Sequence, residues 1–209
     1  MSGIPQLDTA SFRELISRFQ PRVFSDLALI LALNRPGARQ NSELICQKKN
    51  QGNKKFSSSV LLHQILAETY GSIVFEEQIS QILVFIFDYS FADAEIQRRD
   101  LKKMNGEELT KFKHSFLVQA KKKIPSNESE RLLEQMVNNA YAFNKSHAVA
   151  YSYLSYYFAF LKANYFSSLI TYFLNNQLNS PEKTSLYLQE AFFYEFTIQK
   201  PEINFSEIE

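Results

Sequence analysis

Lys145, Ser146 and His147 stand side by side in the run Tyr141-Ala142-Phe143-Asn144-Lys145-Ser146-His147-Ala148-Val149-Ala150-Tyr151. An ammonium, a hydroxyl and an imidazole this close together, just ahead of an aromatic-rich helical stretch, suit an anion. The first N–H groups of a helix are unpaired and the macrodipole is positive there, so phosphate is attracted to such a place. Lys145 adds a full charge and Ser146 is placed to cap the helix. Tyr141 and Phe143 have two readings: core packing, or ring faces on which a base stacks, an interaction of about 1–3 kcal/mol per base in single-strand binders. Arg98 and Arg99 form a second basic pair, which taken by itself reads as a solvated helix face. Other chemistry has less support. His63 and His114 have no partner at metal-ligand spacing, and Cys46 has no base nearby in sequence to activate it.

The elements that must position these residues read as helices. Phe12, Leu15, Ile16 and Phe19 recur at helical spacing, with Ser11 and Glu14 as a capping box. Ser25-Asp26 opens an apolar helix that stops at Asn34-Arg35-Pro36-Gly37. Residues 40–59 are polar and read as a loop carrying Lys48, Lys49, Lys54 and Lys55. Helical segments follow over 60–68, from 79, over 91–101 and over 106–123, and again after Ser126 or Asn127 as a cap. A long helix is expected over 146–175, with its Tyr/Phe stripe from Tyr151 to Phe173 as core. Ser180-Pro181 starts a last helix, with proline at its first position. Pro201 interrupts the tail, which reads as extended.

Composition bounds the rest. The chain has 209 residues, 45% hydrophobic, with five glycines and 14% aromatics, which fits a mostly α globular fold. Its net charge of +1 says nothing about nucleic acid, but the distribution does. Residues 98–123 hold nine Lys/Arg against three Asp/Glu, and residues 181–209 hold two against six. One anion-facing surface follows. A single cysteine and no basic–apolar leader fit a cytoplasmic setting. The apolar run from Ala148 ends at Lys162, well short of the ~20 residues that span a bilayer.

The 141–151 run closely resembles the "YGFNKSHxxAY" pattern in the fingers of C-family replicative polymerases, the bacterial DNA polymerase III alpha subunit. Five further blocks resemble that family in the same order. They are Gly3-Ile4-Pro5-Gln6-Leu7, residues 24–37 ending Asn34-Arg35-Pro36-Gly37, Thr69-Tyr70-Gly71 through Gln78, residues 92–109 with Arg98-Arg99, and residues 155–166, which are similar to "SYQTAWLKAHYP". Pro201-Glu202-Ile203-Asn204 echoes "PPDIN" as well. Several positions depart from the pattern: Ala142 replaces a glycine, Ala38 a proline, and Lys102-Lys103-Met104-Asn105 a "GKKK" run.

The resemblance implies a single helical fingers domain over 1–196, with 197–209 the start of the following region and a short extended tail. It implies that Arg98, Arg99, Lys103, Lys145, Ser146, His147 and Tyr141 face the incoming nucleotide. Arg35, Lys48 and Lys49 would face primer–template DNA. The competing readings are a solvated helix face for the arginines, a helix cap for Lys145 to His147, and solubility for the loop lysines. The family's chemistry needs palm aspartates holding two Mg2+ ions about 3.5–4 Å apart. This chain has five aspartates, Asp8, Asp26, Asp88, Asp93 and Asp100, and no Asp-x-Asp pair. The expectation is therefore a portion of a DNA-directed DNA polymerase that holds no metal itself and does not polymerise alone. Its partners would be primer–template, dNTP and a palm-bearing chain. The alternative is a non-catalytic helical interaction protein or a decayed partial duplicate.

Overall fold

The computed structural model describes residues 2–34, 39–52, 55–139, 142–177, 179–199, 202 and 204. Among them are eleven α-helices and no strand. Two compact units emerge, residues 14–150 and residues 1–13 with 151–209.

The larger unit is built on α5 (Glu76–Phe87), whose Ile79, Ile82, Leu83 and Ile86 are fully buried. Spacing of three, four and seven residues puts these four on one stripe. Around it pack α4 (Val60–Ala67), α6 (Phe91–Leu101), α7 (Gly106–Ala120) and α8 (Ser126–Asn138). They contribute Leu62, Leu66, Ala94, Leu101, Phe112, Phe116, Leu132 and Met136 to the same core. The start of α5 is fastened by a buried amide. Gln78 Oε1 accepts from Val74 N and Phe75 N, both at 2.9 Å, and its Nε2 donates to Ile65 O and Thr69 Oγ1. Every polar atom of that side chain is thus paired inside the core.

Residues 40–59 are not a loop throughout. They contain most of α3 (Arg39–Asn50). Its inward side is largely polar, with Ser42 and Ile45 buried and the Lys49 side chain only 10% exposed, so no apolar stripe marks it in the sequence. Lys49 is the pin between α3 and its neighbours. Its Nζ donates to Phe19 O and Gln20 O at the end of α1 (Ala10–Phe19), at 3.0 and 2.8 Å. It also pairs with Asp26 Oδ2 at 2.9 Å, on α2 (Phe24–Leu33), and sits 4.0 Å from the Phe19 ring centre. These carbonyls are the orphan acceptors of a helix C-terminus, where a cation is favoured.

The smaller unit joins residues 2–13 to α10 (Phe166–Asn176) and α11 (Pro181–Phe193). Leu169, Ile170, Phe173, Tyr187 and Ala191 form its core, with the Phe173 and Tyr187 rings stacked 5.0 Å apart. Gly3 adopts φ +73° against the Phe173 ring, where a Cβ would approach to 2.6 Å. No side chain fits there.

The long helix expected over 146–175 is two helices, α9 (Lys145–Asn164) and α10, parted at Tyr165 with φ −136° and ψ 45°. The aromatic stripe is not mainly core. Tyr153, Tyr156, Tyr157, Phe160, Tyr165 and Tyr172 are exposed, while Ala148, Ser152 and Ser155 of α9 are buried. The reason is local: Ser155 Oγ donates to a carbonyl oxygen, with Pro5 O at 2.8 Å and Tyr151 O at 2.9 Å. That close approach requires small residues inward and sends the rings out. Among the described residues no helix is long and apolar enough to cross a membrane.

Candidate nucleotide-facing cluster

The residues of the 143–147 turn are tied to the start of α5 by backbone. Phe143 N donates to Val74 O, and Glu76 N donates to Phe143 O, both at 2.9 Å, which makes an isolated parallel bridge between Phe75 and Phe143. Helix α9 is capped by Asn144 rather than Ser146. Asn144 Oδ1 accepts from His147 N at 2.9 Å, and the Ser146 hydroxyl is 2.8 Å from the same oxygen. An asparagine side chain reaching the third N–H of a helix is a common solution to the orphan-donor problem. The His147 ring meets Phe143 edge to face at 5.4 Å. Phe143 itself is half-buried.

Two carboxylates at the beginning of α5 then gather the cations. Glu76 Oε1 accepts from Asn144 Nδ2 at 3.0 Å. Its Oε2 accepts from Arg98 Nη1 at 2.7 Å and Lys102 Nζ at 3.3 Å, so one side chain links α5, α6 and the start of α9. Glu77 accepts the Lys145 backbone N–H at 3.0 and 3.1 Å. The Lys145 ammonium reaches the Glu68 carboxylate at 2.8 and 2.7 Å. Burial pushes the Glu76 carboxyl up, but the bonds from Asn144 and Lys102 and the charge of Arg98 outweigh it and leave the group below the usual carboxylate range.

Arg98 is buried, at 5% exposure. Its Nε and Nη2 donate to Glu95, at 2.8 and 2.5 Å, in a two-pronged pair. Those bonds hold the Glu95 carboxyl down at about 2, against the opposing effect of burial, with further help from Ser80 and Arg99. Arg98 is correspondingly held in its charged form by Glu95. Its neighbour Arg99 is 70% exposed and touches Glu95 through Nε at 3.0 Å. Lys103 is exposed and lines a cavity of about 590 Å³ with Asp100, Glu108 and Lys111.

The structure therefore brings Arg98, Lys145, Ser146 and His147 into one hydrogen-bonded neighbourhood through Glu76, Glu77 and Asn144. Sequence reasoning passed over those three. Glu76-Glu77 preceding an apolar helix was the available signal, since acidic residues favour a helix N-terminus. Of the DNA-facing candidates, Lys49 is engaged on α1 and α2. Lys48 donates to Ser72 Oγ at 3.2 Å. Tyr141, Arg35 and Lys54 lie outside the described residues. Cys46 is half-buried, and burial raises its thiol. Among the described residues no group of three His, Cys, Asp or Glu is arranged to hold a metal.

Taken together these features define an all-helical domain with cations collected at the ends of α6 and the beginning of α9. Residues 1–124 match the family model described as the bacterial DNA polymerase III alpha subunit finger domain. DNA polymerase III subunit alpha of Treponema pallidum (strain Nichols) is 35% identical over 208 residues, which cover 99% of this chain and 18% of that protein. The corresponding subunit of Halalkalibacterium halodurans is 35% identical over 210 residues, covering 99% and 19%. That of Deinococcus radiodurans is 32% identical over 212 residues, covering 97% and 16%. The chain belongs to the finger-domain family of bacterial DNA polymerase III alpha subunits. It spans less than a fifth of the length of each of these relatives.

Proposed function

We propose that this chain serves as the fingers portion of a replicative DNA polymerase, binding the incoming deoxynucleotide and the primer–template beside a palm supplied from outside these residues. The observation that supports this most is the Glu76 carboxylate, which joins Arg98 of α6 to Asn144 of the Lys145-Ser146-His147 turn. A triphosphate approaching this cluster competes with Glu76 and Glu95 for the guanidinium. Arg98 then acts as a positioned, pre-charged element, and the exposed Arg99 and Lys103 make the outer phosphate contacts. Lys145 exchanges Glu68 for phosphate in the same way. The reaction served is attack of a primer 3′-hydroxyl on the α-phosphate with release of pyrophosphate. The Mg2+ ions that the reaction needs are held by palm carboxylates and not by this chain. Alone, the chain binds and does not polymerise, in the cytoplasm where replication takes place.

Titration of the purified chain with dATP in the presence of Mg2+ tests the nucleotide contact. Loss of one charge-assisted bond to phosphate in Arg99→Ala or Lys145→Ala should weaken binding by about fivefold or more. Equal affinity in both variants overturns the assignment. Primer extension by the chain alone, above an Arg98→Ala/Arg99→Ala control, overturns the claim that it is inactive by itself.

A further inference from the structure

We propose that the outward face of α9 is the contact surface of a homodimer, in which it packs antiparallel against α9 of a second copy of this chain. The inference goes beyond the fingers reading and does not rest on it. Tyr153, Tyr156, Tyr157 and Phe160 follow one another at the spacing of a single helical stripe. Each is about half exposed. Their rings run on from one another: Tyr153 and Tyr156 each lie 6.5 Å from Tyr157, and Phe160 lies 6.3 Å from Tyr165. Leu154 and Leu161, also exposed, flank the stripe. All of these residues belong to the smaller unit.

The face is large for one bathed in solvent. With whole aromatic side chains at about 150–250 Å² each, these residues expose roughly 600–700 Å². The largest apolar patch of an ordinary monomer is about 300–600 Å². A standard protein interface takes about 800 Å² from each partner.

Charge selects the class of occupant. Between Ser146 and Tyr165 the sole charged side chain is Lys162. It is turned inward, with Nζ donating to Ser2 O and Glu190 Oε2, both at 2.6 Å. Nucleic acid and anionic lipid are met by Lys and Arg, and this stripe presents neither. A protein surface remains, and tyrosine, with an apolar body and a polar tip, is enriched in such interfaces.

Three observations favour a second copy as that protein. An isologous contact sets the same patch on both sides, and a face without charge meets itself without like-charge repulsion. The stripe is centred on Tyr156 and Tyr157, so antiparallel helices bring these residues beside their mates at the twofold axis. Tyr153 of one copy then lies opposite Phe160 of the other. Tyr157 also stands where the related pattern "SYQTAWLKAHYP" has glutamine, so this chain adds a ring at the most exposed position of the stripe. A partner common to the whole family does not call for that ring, whereas a partner carrying the same ring does.

The test is sedimentation equilibrium of the full chain from about 1 to 200 µM. Wild type should pass from the mass of one chain to that of two, with a Kd on the order of 10 µM for a face of this size. Tyr157→Arg, which sets two like charges at the axis, should weaken association by about tenfold or more. Mixing Tyr157→Arg with Tyr157→Glu should restore a dimer that neither forms alone. Phe192→Ser, which removes an exposed ring from α11, should change the Kd by less than about twofold. Melts at about 1 µM read the monomer and should show every variant folded. A chain that stays monomeric throughout the range overturns the proposal and leaves the stripe to the rest of a polymerase polypeptide. A dimer that Tyr157→Arg leaves intact, or a mass that rises without a plateau, overturns it as well. Nucleotide and DNA titrations read other residues, so failure of the fingers reading leaves this one standing, and the reverse.

Discussion

Arg98 Nη1 donates to Glu76 Oε2 at 2.7 Å, from a guanidinium only 6% exposed on its side chain. This one pair connects a residue proposed to face the nucleotide with the helix start that holds the Lys145 turn. It also gives adjacent arginines different duties. Arg98→Ala should destabilise the chain by about 3 kcal/mol, because it removes the buried guanidinium shared by Glu76 and Glu95 and leaves them to Lys102, Asn144, Ser80 and Arg99 alone. Arg99→Ala, on an exposed side chain, should cost under about 1 kcal/mol. Urea unfolding of the two variants checks this, and equal losses would contradict it.

Acid should act through the same network. The Glu95 carboxyl lies at about 2 in the folded chain against an ordinary 4.5. A carboxylate depressed on folding stabilises fully above its unfolded value and loses that contribution as pH falls through the folded one. Stability should therefore decline between roughly pH 4.5 and 2, and Glu95→Gln should flatten that part of the curve. Melting temperatures across the window provide the measurement.

Alkali should act at Asp26. Tyr70 donates to Asp26 Oδ1 at 3.0 Å, and burial together with that partner pushes its phenol up to about 12. The neutral form is favoured by the fold, so the contribution is complete below the ordinary value of 10 and disappears as pH rises toward 12. Absorbance titration should show tyrosine ionising well after the exposed rings, and Tyr70→Phe should remove part of that late rise, since burial pushes Tyr187 up as well. Lys49→Ala, which leaves the buried Asp26 charge without its ammonium and frees the Phe19 and Gln20 carbonyls, should cost about 3 kcal/mol.

Much of this was legible in the residues, and the failures have physical causes. Apolar spacing places α4, α6 and α7 close to their observed limits, whereas α5 begins three residues ahead of Ile79 and α8 begins at Ser126 with Pro125 as its cap. Helix α3 was missed because its inward side presents Ser42 and Lys49, which no hydrophobic pattern reveals. The break at Tyr165 has no glycine or proline in this chain. The related pattern "SYQTAWLKAHYP" did contain the signal, since its proline aligns with Phe166, the first residue of α10, a position that proline favours. At the candidate site, the cations were evident by type. Their carboxylate partners were not, because Glu68, Glu76, Glu77 and Glu95 read individually as surface charge and acquire meaning only when α4, α5 and α6 bring them to Lys145 and Arg98.

The inverted face of α9 makes its own test. Tyr157 is 59% exposed and Ser155 is fully buried. Tyr157→Ser should change stability by less than about 0.5 kcal/mol. Ser155→Leu overfills a close contact and loses the bond to Pro5 O, and should cost about 1–3 kcal/mol. Denaturant midpoints of the pair distinguish this arrangement from an aromatic core, in which the order would reverse.

The proposed role of this chain as the fingers of a replicative polymerase is contact with nucleic-acid phosphate. Its most direct test is the equilibrium binding of a primer–template duplex to the purified chain as salt is raised from about 25 to 200 mM. Phosphate contact predicts weak binding whose logarithm falls linearly with log salt, with a slope steeper than about −2 for contacts to three or more phosphates. A flat dependence, or no binding at the lowest salt, would contradict the account and favour a helical protein that no longer touches DNA.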